Sequence, residues 1–189
     1  MAVLVAAACL LAGPAWAARA DRNQPITIDA DKPGTVDMLK QVVVFNGNVV
    51  ITQGTITIRA ERAEIREGAD GFRAAIAIGG AGQQASFRQK REGLDEYIQG
   101  TADRIEYEGR GDVVRFLGRA AVKRLRGSTP ADEISGERIT YDSTTEVFSV
   151  AGSTSPTPPA DGASGPGNGR VRVILTPRES AASEPEAPR

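Results

Sequence analysis

Three pairs of neighbouring carboxylates are the groups in this sequence best suited to chemistry: Glu61 with Glu64, Asp95 with Glu96, and Asp132 with Glu133. Two carboxyl groups in one cleft, one protonated and one ionised, are what glycoside hydrolysis requires. Each pair, however, stands beside Arg or Lys at alternate positions, the arrangement expected of a solvated strand face, and no aromatic sugar platform accompanies them. Composition closes the other routes. The chain has no histidine, so a Ser-His-Asp triad and an imidazole zinc site are both absent. Its one cysteine, Cys9, lies in an apolar N-terminal run. No glycine-rich stretch joins a strand to a helix with a following Lys-Ser, and Gly79-Gly80-Ala81-Gly82 reads as a loop rather than a phosphate cradle. The residues point away from catalysis, and no cofactor is expected.

The N-terminal run explains where such a chain works. Residues 1–17 are apolar and small, and end in Ala15-Trp16-Ala17, which fits the A-x-A rule for signal-peptide cleavage; Ala18-Arg19-Ala20 offers a second such site. The run falls short of the roughly 20 residues of a spanning helix. Ala6-Ala7-Ala8-Cys9 resembles a lipoprotein box, with too little apolar sequence before it and too much after. Export is therefore expected, and cleavage leaves a chain without cysteine, whose fold rests on packing and backbone pairing alone. With 23 basic and 24 acidic residues the net charge is -1, which argues against nucleic acid or anionic lipid surfaces as partners.

The elements that must position any site are strands. Apolar residues recur with a period near two at Ile26 and Ile28, Val43 and Phe45, Ile56 and Ile58, Ile76 and Ile78, Ile105 and Tyr107, and Ile139 and Tyr141. Each pair predicts a short strand. Asn46-Gly47-Asn48, Gln53-Gly54, Gly68 to Gly71, Gly79-Gly80 and Gly109 to Asp112 supply the positive φ of tight connections. Residues 59–66 are good helix formers, but the same composition recurs where the flanks are strand-like, and the recurrence decides for strand. A unit of small residue, acid and base recurs as Ala60-Glu61-Arg62, Ala102-Asp103-Arg104 and Gly136-Glu137-Arg138, with a fainter copy at Ala30-Asp31-Lys32. A Phe-x-Gly turn recurs at Phe45 and Phe116, and with wider spacing at Phe148. Unequal spacings exclude a strict solenoid and suit stacked β-hairpins folded into two sheets. Residues 24–152 form this unit. Residues 153–169 are rich in Ser, Pro and Gly and read as a linker, 170–177 resume alternation as a final strand, and 178–189 form a disordered tail.

Four segments carry a resemblance: QPITIDAD (24–31), VVVFNGNVVITQGTITIRAERA (42–63), TADRIEYE (101–108) and GERITY (136–141). They resemble the OstA-like family of periplasmic lipopolysaccharide-transport proteins. What the resemblance implies is an all-β fold, a β-jellyroll of two antiparallel sheets with an apolar groove between them that shelters the acyl chains of lipid A. It also implies stacking head-to-tail with itself, with an inner-membrane jellyroll partner and with the outer-membrane translocon. Carried onto this chain, the acyl-contacting residues are Ile26 and Ile28, Phe87, and Ile105 with Tyr107; the apolar face of 45–58 adds Phe45, Ile56 and Ile58. Gly109 stands where the family has a large apolar side chain, and 153–169 is longer than the usual turn.

Only 5% of the residues are aromatic, and Ala30, Ala60, Ala74, Ala85 and Ala120 stand at positions read as inward, so two sheets about 10 Å apart should leave unfilled apolar space. A sheltered chain of a dozen carbons gains roughly 10 kcal/mol, at about 0.8 kcal/mol per methylene. The first strand (26–30) and the last (171–175) are the expected docking edges. Two other readings compete with a lipid bridge: a ligand-free self-assembling β-stack, which needs a filled interior, and a glycan-acting enzyme, which needs two converging carboxylates.

Overall fold

The computed structural model describes residue 21 and residues 23–71, 73–91, 94–152 and 171–176; the expected signal peptide, linker and tail lie outside the described residues. Twelve strands follow in order: β1 (Ile26–Asp29), β2 (Lys32–Asp37), β3 (Val42–Gln53), β4 (Ile56–Glu67), β5 (Arg73–Ile78), β6 (Ala85–Lys90), β7 (Glu96–Ala102), β8 (Arg104–Glu108), β9 (Val113–Arg126), β10 (Thr129–Asp142), β11 (Val147–Ala151) and β12 (Arg172–Leu175). Every pairing is antiparallel. Residues 59–66 lie in β4, as recurrence rather than helix propensity had indicated.

Four strands are not short. β3 and β4 have 12 residues each, and β9 and β10 have 14. Each pairs with one set of neighbours along its first half and another along its second. The first half of β4 meets β6 and its second half meets β5; β9 meets β8 first and β7 afterwards. The ladder therefore folds into two layers. Layer one runs β2, β3, β4, β5, β8, β9, β10, β11, and layer two runs β1, β3, β4, β6, β7, β9, β10, β12, the four long strands belonging to both.

The Phe-x-Gly motif is what folds them. The sequence suggested hairpin turns at Phe45-Asn46-Gly47 and Phe116-Leu117-Gly118, but both lie inside strands. Gly47 and Asn48 have φ of 78° and 48°, and Gly118 and Arg119 have φ of 75° and 45°. Two successive residues in the left-handed region turn the chain out of one layer and into the other, and the ladder slips register there, between Asn46 and Val49 on β3. On β10 the register slips between Gly136 and Arg138. The acid-base units are the other walls of the same corners. Asp31 N–H donates to Gly47 O and Asp103 N–H to Gly118 O, each at 2.9 Å. Lys32 pairs with Glu61 at 2.9 Å and Arg119 pairs with Asp103. The Arg119 guanidinium holds the Asp103 carboxyl below its ordinary range.

Between the layers lies the core. Cross-strand register sets it out in rows that run the length of the stack. In layer one Phe45, Ala63, Ala77, Ile105, Phe116, Ile139 and Val150 are successive partners. Facing them in layer two are Ile28, Ile51, Ile58, Phe87, Gly100, Val122, Ile134 and Val173. Nearer the fold line the pairs are small: Val49 with Ala60, Ala85 with Ala102, Ala120 with Gly136. That placement corrects the expectation of empty space, and Ala74, read as inward, is exposed on β5, where Ala75 and Ala77 are the buried positions. Ala60, Ala85 and Ala120 let the layers converge at their corner, while Phe87 and Phe116 meet edge-to-face across the centre with ring centroids 5.8 Å apart. A Cβ on Gly100 would lie 2.2 Å from Phe116 Cε1, so only glycine leaves room for that ring. Gly100→Ala is accordingly expected to lower the unfolding free energy by about 1–3 kcal/mol through overpacking, with urea denaturation followed by tryptophan-independent circular dichroism as the measurement.

Candidate functional site

The eight residues expected to touch a guest fall on both inner walls. Ile26, Ile28, Ile56, Ile58 and Phe87 belong to layer two, and Phe45, Ile105 and Tyr107 to layer one. Their register makes them one surface. Ile28 is linked through Ile51 to Ile58 and thence to Phe87, and Ile105 pairs directly with Phe116. Ile56, Ile58, Phe87, Ile105 and Tyr107 are buried, Phe87 and Ile105 to 1% exposure. Ile26, Ile28 and Phe45 are half-buried and pack against the same cluster from its edge, together with Ala30 and Val43.

The opposite edge is built alike. Ile134, Phe148 and Val150 are half-buried there, and Phe148 stacks on Tyr141 at 4.5 Å with an interplanar angle of 12°. The interior is thus closed at its middle and has a partly uncovered apolar mouth at each end. Among the described residues neither mouth is paired further, since β1 and β2 end one side of the layers and β11 and β12 the other. All six described residues of the final segment, 171–176, are exposed, including Val173, Ile174 and Leu175.

Away from the fold line the layers part along a third opening. A cleft of about 230 Å³ lies there between Gln53 of layer two and Tyr107 and Gly109 of layer one, with Asp70 and Arg73 on its rim. Gly109 fits because its backbone hugs β5: its N–H donates to Arg73 O at 2.9 Å, and a Cβ would come within 2.8 Å of that oxygen. A second cleft of about 260 Å³ sits beside Val36, Met38, Val43 and Ile65 at the β2 end. None of the three carboxylate pairs singled out in the sequence lines either cleft.

One member of each of two pairs was misplaced by sequence reasoning, whereas Asp95 is exposed and the Glu133 side chain is 37% exposed, as expected. Glu96 and Asp132 do not lie on a solvated face: their side chains are 13% and 18% exposed. Glu96 takes ion pairs from Arg91, from Arg124 at 3.6 Å and from Arg126 at 3.3 Å, and Arg124 also bridges to Asp132. Register gives the reason. Arg124 is the partner of inward-facing Ile98, and Asp132 is the partner of Arg124, so charge interrupts a row that runs from Gln89 through Ile98 to Leu175. Each carboxylate already has its cation, which suits structure and not acid-base work.

Residues 27–147 match the family described as LptA/(LptD N-terminal domain) LPS transport protein. The chain belongs to this family. It is 36% identical over 141 residues to the lipopolysaccharide export system protein LptA of Escherichia coli K12, covering 73% of this chain and 71% of that one. To LptA of Haemophilus influenzae Rd it is 29% identical over 177 residues, covering 94% and 91%. Among solved structures it resembles LptH, the LptA-homologous periplasmic component of the lipopolysaccharide transport device of Pseudomonas aeruginosa, with a TM-score of 0.66 and 22% identity over 83% of this chain and 99% of that one. The β-jellyroll is thereby the fold of the family, and the family is one of transport proteins, not enzymes.

In this member of the LPS transport family the largest rings in the interior escaped sequence reasoning in two cases. Phe116 and Phe148 had been absorbed into the Phe-x-Gly turn, yet both point inward. The signal was available, because Val114 and Phe116 keep the period of two with Ile105 and Tyr107 opposite. Tyr141 records how dry the far end is: burial, before any charge, raises its phenol from 10.0 to about 12. Below pH 10 folded and unfolded chains both keep the proton and nothing is lost. Between pH 10 and about 12 the unfolded chain ionises first, so stability falls as pH rises through that window. Absorbance at 295 nm should show one phenol titrating near pH 12, and Tyr141→Phe should remove that phase and flatten the alkaline loss of stability.

Proposed function

We propose that the chain is a periplasmic bridge module that binds lipopolysaccharide by its lipid A acyl chains and passes it from the inner to the outer membrane. The observation that carries this reading is the pair of apolar rows facing each other from edge strand to edge strand, with a half-buried mouth at each end. Acyl chains are taken up between the walls at Ile26, Ile28, Phe45, Ile56, Ile58, Phe87, Ile105 and Tyr107. The centre is filled, so a guest must part the layers. Sheltering a dozen methylenes returns roughly 10 kcal/mol, and this gain is what stands against parting the layers.

Copies join head-to-tail through the unpaired edges, β1 or β2 of one against β11 or β12 of the next, so that the inner walls continue across the joint. The same edges dock the inner-membrane jellyroll partner LptC and the outer-membrane translocon LptD. Within the chain, 1–17 act as the signal peptide, 24–152 and the strand within 170–177 as the jellyroll, 153–169 as a linker and 178–189 as a tail. A ligand-free self-assembling β-stack is the second reading, and the filled centre between Phe87 and Phe116 is the observation in its favour.

One experiment separates them. A photo-crosslinking residue placed at Ile26 or Phe87 should yield lipopolysaccharide adducts on irradiation, and one at outward Thr27 or Arg59 should not. Adducts at no inward position would remove the transport reading and leave the β-stack. Head-to-tail joining is read independently by sizing against concentration: mass should rise with concentration, and removal of residues 21–31 should leave a monomer.

A further inference from the structure

The two layers are continuous at their fold line, so they part only along the opposite edge. That edge is not uniform. In its first half it is the cleft between Gln53 and Tyr107. In its second half an ion pair spans it. Arg91 follows β6 in layer two, and Glu146 ends the turn between β10 and β11 in layer one. Arg91 Nε donates to Glu146 Oε1 at 3.0 Å, and a second guanidinium nitrogen donates to Oε2, a bidentate fork. The fork lies close enough to Tyr141 for both charges to act on its phenol.

Each partner is held for this contact. Arg91 N–H donates to Glu96 O at 2.8 Å, and its guanidinium also pairs with the Glu96 carboxylate, which Arg124 and Arg126 hold in turn. On the other side Asp142 Oδ1 accepts from the amides of Thr144 and Thr145 at 2.9 and 3.0 Å, fixing the turn. Glu146 itself has φ of 57°, the left-handed close of this Asp-capped turn, as Gln41 at 52° closes the one that Asp37 caps between β2 and β3.

The pair is also built to open. Arg91 is 16% exposed but keeps Glu96 when Glu146 leaves, so no buried charge is stranded; Glu146, 48% exposed, passes into water. We propose that Arg91–Glu146 is a latch across the open edge of the jellyroll, which must release for an amphiphile whose bulky polar head stays outside while its chains lie between the layers. This rests on the lipid-carrying reading above, and it names the residues that control access. A single-chain lipid can lodge in an end mouth, against the half-buried residues there, without parting the filled centre, and does not need the latch.

The test uses the full chain carrying Cys9→Ser, with Arg91→Cys and Glu146→Cys joined by a cleavable bismaleimide that reductant splits. The two probes are purified lipopolysaccharide and a fluorescent C12 fatty acid. The bridged protein should load lipopolysaccharide at least tenfold more slowly than the same sample after reduction, while fatty-acid uptake changes less than twofold. Glu146→Lys, which sets like charges face to face, should load lipopolysaccharide about threefold faster or more than the parent. Equal lipopolysaccharide loading by bridged and reduced protein overturns the latch while leaving lipid carriage intact. Failure of the parent protein to load either probe overturns lipid carriage and the latch with it. Slowing of both probes alike shows a general closing of the interior and likewise overturns the latch.

Discussion

The constraint on which this molecule depends is that four strands belong to two layers at once. A conventional sandwich holds its sheets together by side-chain packing alone, and the sheets are joined only by loops. Here β3, β4, β9 and β10 carry unbroken backbone from one layer to the other. The layers share a spine, cannot slide past one another, and can change their separation only by opening like a hinged pair of boards. Corner glycines, corner ion pairs and the small residues beside them all serve that spine.

Much of this was legible beforehand, and what was not failed for a definable reason. Alternation gave seven of the twelve described strands and the inward identity of Ile26, Ile58 and Ile105, and the family resemblance gave Phe87. On β5 the phase was inverted, Ala75 and Ala77 being buried where Ile76 and Ile78 had been read as the apolar face. The recurring acid-base unit was recognised at Ala30, Ala60, Ala102 and Gly136, but its meaning was not. Those four sites are successive corners, and a corner is a relation between strands distant in sequence, Asp103 with Gly118 for example. The two Phe-x-Gly motifs were likewise seen and misread, because a positive φ at glycine serves a hairpin and a mid-strand fold equally well.

The charges near the open edge illustrate a second limit. Period-two reasoning assigns a polar residue to the outside whenever its neighbours are apolar, and β9 ends Lys123, Arg124, Leu125, Arg126. Only register shows that Arg124 stands opposite Ile98 and so faces inward. Low aromatic content also misled: the few rings are concentrated at the centre, where Gly100 makes depth for Phe116. The family resemblance was carried by the corner sequences, which explains why it was secure for fold while individual wall residues depended on the structure.

The two ends of the stack are not copies of each other. β2 bears Pro33 and Gly34 on its outer edge and the tip beyond it carries exposed Met38 and Leu39, whereas the far side ends in the valine-rich β11 and the fully exposed β12. Any fibre assembled by matching one end to the other therefore possesses a built-in arrow, like a row of dominoes all printed the same way up. An arrow of that kind orients whatever caps each terminus but supplies no drive, so net flow along such a fibre has to be imposed by the machinery at its ends.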